Sequence, residues 1–174
     1  FFFFFMDRAI IYIYILSLHD ALRFCAFRHT DLHPVRGDRL AKPTPHCIPG
    51  HEEVGHVVEV GSNVDWISKG DIVGVPWLYS ACGHCEHCYG GWGTLCEQQD
   101  DNGYNVSRCF AVYVGAAPYS VPRLPAGLVP LLLSPVLCAG LPGCEGPEVE
   151  DSQAGAWGVG AGLGGPWQLA FQYW

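Results

Sequence analysis

Three stretches of the chain carry a hydrophobic pattern strong enough to name an element. Val54, Val57, Val58 and Val60 run up to the turn Gly61-Ser62-Asn63, as a strand does before it reverses. Lys69-Gly70-Asp71-Ile72-Val73-Gly74-Val75 starts a second strand. After the loop Pro122-Arg123-Leu124-Pro125, the apolar run Leu128 to Leu137 predicts a short helix that Pro130 and Pro135 limit. Near the beginning, Ala9 to Leu18 is apolar but too short to span a bilayer; Asp7 and Arg8 cap it and no small-residue cleavage site follows. Gly143 to Asp151 has no helical period.

The polar positions add chemistry. Cys82, Cys85, Cys88 and Cys96 are spaced C-x2-C-x2-C-x7-C, and four thiolates so spaced can close a tetrahedron around one Zn2+ with no open position, which is a structural site. Gly83, Gly90, Gly91 and Gly93 supply the tight turns such a loop needs. The competing reading is a disulfide-bonded loop, disfavoured because cysteines so close in sequence rarely suit the bridge geometry. Later, Gly160-x-Gly162-x-x-Gly165 fits a loop that sets a pyrophosphate on a helix N-terminus, with Pro166 in the first helical turn.

Composition narrows the classes. With 174 residues the chain holds one ordinary core, or one domain and part of another. Nine Lys and Arg against seventeen Asp and Glu give a net charge of -8, so no basic surface invites nucleic acid. Nine cysteines, four of them at metal spacing, point to a reducing, cytoplasmic compartment rather than a secreted scaffold. No membrane partner is expected.

Pro49-Gly50-His51-Glu52, Lys69 to Val75, and Val75-Pro76-Trp77-Leu78-Tyr79-Ser80-Ala81 leading into the cysteines together resemble the zinc-containing, NAD-dependent alcohol dehydrogenases of the medium-chain dehydrogenase family. The resemblance runs from about Cys25 to Trp174. His29-Thr30-Asp31-Leu32-His33 matches that family's C-H-T-D-L-H segment, except that Arg28 stands where the family has a catalytic zinc cysteine. The resemblance implies that Thr30 hydrogen-bonds the substrate hydroxyl, that His33 passes its proton towards solvent, that His29 meets the cofactor pyrophosphate and that Asp31 supports the metal ligands. It implies catalytic zinc ligands at His51 and Cys138, with Glu52 an occasional or displaced one, a pocket wall at Trp77, and cofactor contacts at Gly160, Gly162 and Gly165. Asn102-Gly103-Tyr104 echoes the family's N-x-G-Y segment, whereas Cys109 and Val112 depart from the G-F-A-E-Y segment that follows.

The fold expected is a mainly β GroES-like catalytic domain over residues 25–150, with a zinc lobe at 82–96, followed at 151–174 by the truncated start of an α/β Rossmann domain. Residues 1–24 read as foreign to it, because Ser17 to Leu22 resembles a translated sequencing-adapter fragment; a degraded native segment and a membrane or secretion signal are the alternatives. The resemblance implies zinc and NAD as cofactors, hydride transfer from a primary or secondary alcohol to give an aldehyde or ketone, and homodimers or homotetramers of the parent protein. With Arg28 in place and the chain stopping at Trp174, the sequence also supports an incomplete, catalytically inactive zinc-binding fragment.

Overall fold

The computed structural model describes residues 11–14, 29–37, 48–106, 111–141 and 165–173. Within them a four-stranded antiparallel sheet runs β3-β2-β1-β6, from β1 (Ile11–Tyr14), β2 (Glu53–Val60), β3 (Ile72–Val75) and β6 (Tyr113–Ala116). The valines of the two expected strands fall on β2 and β3, and Val54, Val57, Val73 and Val75 are buried. Ile11 and Ile13 of β1 join Val57, Ile67, Val73, Val75, Val114, Ala116 and Val121 in one apolar core. β1 lies within the segment read as foreign, yet it sits between β2 and β6 and both its isoleucines are fully buried.

A two-stranded ribbon, β4 (Leu78–Ser80) with β5 (Asp100–Asp101), forms the base from which the cysteine loop projects. The Ser80 hydroxyl donates to Asp100 Oδ2 across this ribbon at 3.0 Å, and the Ser120 hydroxyl donates to the Tyr79 carbonyl at 2.8 Å, which anchors the lobe to the segment after β6.

Three helical segments matter for the site. His29–Arg36 forms α1, where the sequence pattern had named no helix. Glu86–Tyr89 forms α2, a single turn inside the cysteine loop. The apolar run divides as its prolines require, into α3 (Pro130–Leu133) and a 3-10 turn, Ser134–Leu137, each with a proline in its first turn. The last helix, α4 (Gly165–Tyr173), begins at Gly165 and carries Pro166 as its second residue. No helix among the described residues is long and apolar enough to cross a membrane.

Candidate metal centres

Among the described residues, two groups of potential metal-ligating side chains form, each with its donor atoms within 4.8 Å of one another: Cys82, Cys85, Cys88 and Cys96, and His51, Glu52 and Cys138. In the first, Cys85 caps α2 and Cys88 lies within it, so the helical turn puts both sulfurs on one side, 3.5 Å apart. Cys82 Sγ is 3.8 Å from Cys88 Sγ, and the Cys82 N–H donates to Cys96 Sγ at 3.5 Å. A tetrahedron with Zn–S bonds of about 2.3 Å has S···S edges of about 3.8 Å, so the observed spacing fits a zinc ion. All five cysteines among the described residues are free thiols, which removes the disulfide reading for this loop.

Of the four glycines expected to turn the loop, Gly83 and Gly91 adopt positive φ, at 76° and 84°. Gly90 instead ends α2 in ordinary helical geometry. The backbone N–H of His84 at the Cys82 sulfur draws that thiol down to about 6. Burial, reinforced by the neighbouring sulfurs, pushes Cys88 up to about 11. Four sulfurs without a cation cannot all ionise, whereas a divalent ion removes that conflict and displaces the protons.

The second group is built from three parts of the chain. His51 sits in the loop before β2, and Asp31 of α1 reaches it: Asp31 Oδ1 accepts from the Gly50 N–H at 3.1 Å and lies 3.2 Å from His51 Nδ1. With Nδ1–H engaged by the carboxylate, the buried Nε2 is the nitrogen left to ligate a metal when the ring is neutral. That is the arrangement of a histidine oriented to ligate a metal, with a carboxylate fixing its tautomer. Ser134 donates its hydroxyl to the Glu52 carbonyl and so ties the 3-10 turn that leads to Cys138 to the loop carrying His51. Burial opposes the imidazolium, but the Asp31 carboxylate and the Cys138 sulfur together outweigh it and raise His51 to about 9. Trp77 stands edge-on to the His51 ring, with centroids 5.2 Å apart and planes at 87°.

The structure thus brings His51, Glu52 and Cys138 together, and Trp77 beside them. Thr30 and His33 lie three residues apart on α1 on either side of Asp31, a spacing that shares a helix face, and both are half-buried. His29 opens that helix and Gly165 opens α4. Arg28, Gly160 and Gly162 lie outside the described residues. Ser134 and Asn102 were missed as site residues by sequence reasoning; the N-G-Y echo was the one signal for Asn102.

A GroES-like sheet with a closed four-cysteine lobe and a separate His, Glu and Cys cluster defines the class of zinc-binding dehydrogenase domains. The family model for the alcohol dehydrogenase GroES-like domain matches residues 21–126, and the chain belongs to that family. It is 50% identical over 145 residues to an alcohol dehydrogenase of Moraxella sp. (strain TAE123), covering 83% of this chain and 43% of that protein. To an alcohol dehydrogenase of Rhizobium meliloti (strain 1021) it is 44% identical over 159 residues, covering 91% and 46%. The chain therefore spans slightly less than half the length of these curated relatives. Among solved structures, a cinnamyl alcohol dehydrogenase from Sorghum bicolor superposes with a TM-score of 0.74 at 26% identity, covering 87% of this chain and 43% of that one. A Helicobacter pylori CAD structure, complexed with NADP(H), shares the fold at a TM-score of 0.83 and 22% identity, covering 97% and 49%.

Proposed function

We propose that this chain is the zinc-holding part of an oxidoreductase that moves a hydride from a primary or secondary alcohol to a nicotinamide cofactor, with NAD+ the acceptor. The observation that carries the reading is the pairing of two donor sets of different kind: four sulfurs at tetrahedral spacing, and a histidine held by Asp31 beside Cys138 and Glu52. The first set is closed and structural. In the second, zinc held by His51 Nε2 and Cys138 Sγ would supply a Lewis acid that lowers the pKa of an alcohol hydroxyl. Asp31 holds the His51 ring in the tautomer that leaves Nε2 available. The Thr30 hydroxyl hydrogen-bonds the alcohol hydroxyl and hands on its own proton as it takes the alcohol's, and His33 passes that proton towards solvent. The Trp77 indole narrows the pocket and favours short primary alcohols. His29, Gly160, Gly162 and Gly165 serve the cofactor. The same reading makes the parent protein a cytoplasmic homodimer or homotetramer.

Arg28 favours a second reading of this chain as it stands, a structural zinc unit without turnover. A guanidinium has no lone pair to offer and does not deprotonate in proteins, so it cannot stand in for a ligating thiolate. By the resemblance of its segment it puts a fixed positive charge in place of a thiolate, and a carboxylate such as that of Glu52 would be its natural partner in an ion pair. In the Arg28→Cys chain, Co2+ titration should resolve two cobalt environments, one of which shifts its absorption on adding ethanol and disappears in Cys138→Ser. A single environment, unresponsive to ethanol, would contradict the proposed function.

A further inference from the structure

The turn Asn102-Gly103-Tyr104, to which the proposed function gives no role, touches both Trp77 and the loop that carries His51. Asn102 is buried, and it grips two successive carbonyls: its backbone N–H donates to Trp77 O at 2.8 Å and its side-chain Nδ2 donates to Pro76 O at 2.7 Å. A carbonyl only accepts, so the amide orientation is fixed by chemistry. The peptide that carries the Trp77 indole is thus held from behind by a single residue.

Gly103 meets the Gly50 backbone, next to His51. Its φ is 74°, and a Cβ built on it would lie 2.3 Å from the Gly50 carbonyl oxygen and 2.7 Å from the Gly50 nitrogen. Both of those atoms are backbone, so neither can swing aside. The Gly50 N–H is the group that donates to Asp31 Oδ1, the same oxygen that engages His51 Nδ1. A side chain at 103 therefore pushes directly on the turn that aims His51. Tyr104 completes the contact: its buried ring tilts against Trp77 with centroids 6.1 Å apart, while Trp77 meets His51 with its own ring.

We infer that Asn102, Gly103 and Tyr104 act as positioning residues, a clamp that sets the distance between the Trp77 pocket wall and the His51 ligand and so fixes how large an alcohol the pocket admits. This rests on the reading that Trp77 and His51 face one site. None of the three need touch substrate or metal; they act through the two rings. Asn102→Asp keeps the shape of the side chain but sets a carboxylate against the Pro76 carbonyl, where no hydrogen bond can form.

The test is the ring contact itself, read by NMR on the zinc-loaded full chain. In the unsubstituted chain the His51 ring should show cross-peaks to the Trp77 indole; Asn102→Asp and Gly103→Ala should abolish them while zinc bound to the four cysteines remains at about one per chain. A merely structural role would lower the melting temperature and leave the cross-peaks intact in the folded molecules, and that result would overturn the proposal. Should either backbone-contacting variant fail to fold, Tyr104→Leu removes the ring that backs Trp77 without crowding Gly50. Loss of the His51 to Trp77 cross-peaks there supports the clamp and their retention overturns it. Failure of Arg28→Cys to create a second cobalt environment would sink the proposed function and leave these cross-peaks unchanged, so the two ideas fail separately.

Discussion

At the scale of single residues, Asp31 controls the second donor group through His51. Both are buried, and the carboxylate is one of the forces that outweigh desolvation of the imidazolium. In the metal-free chain the folded pKa of about 9 lies above the unfolded value of 6.5. His51 therefore contributes stability that is fully present below pH 6.5 and lost as pH rises through about 9. Asp31→Asn should lower the pKa, since burial then acts against a weaker opponent. An NMR titration of the His51 ring in chelator-treated protein would check it, and a value still near 9 would show that Asp31 is not the cause. The residues of the second donor group were legible because His51, Glu52 and Cys138 sit in short motifs whose neighbours are themselves distinctive. The hydrogen bonds that aim them were not, because Ser134, Asn102 and Gly50 meet their partners across 82, 26 and 19 residues of sequence.

Among the elements, β1 is the largest difference between pattern and structure. Its four residues, Ile11-Tyr12-Ile13-Tyr14, are all apolar, so alternation gives no signal for a strand with two different faces. The pairing with β2 and β6 is what reveals it. Truncating a buried isoleucine to alanine typically costs ~2–5 kcal/mol. Ile13→Ala should therefore destabilise the domain by about that amount in chemical denaturation. A change under ~0.5 kcal/mol would mean that the segment plays no part in the fold, as its foreign appearance suggested. α1 escaped notice for another reason: Thr30, Asp31 and His33 are weak helix formers and Pro34 lies inside the element, so local propensity argues against the helix that forms. β2, β3 and the broken apolar helix were legible because their valines and prolines speak for one conformation each.

At the scale of the whole molecule, a sheet core carries a four-sulfur lobe and a second donor group of His51, Glu52 and Cys138, and on the proposed function Arg28 stands where that group would need a further thiolate. Metal binding and folding are coupled in sites of this kind, with structural Zn2+ contributing on the order of 10 kcal/mol of apparent binding free energy at neutral pH in short peptides. The lobe should hold its ion through purification. On the proposed function the second group should not, because Arg28 would put a cation where a ligand is needed. Zinc counted per chain by elemental analysis decides this most directly. About one zinc is expected in the unsubstituted protein and about two in Arg28→Cys, since a closed structural site takes one ion and a restored ligand set takes another. Two tightly held zinc ions in the unsubstituted chain, with His51 and Cys138 protected from chemical modification, would contradict it.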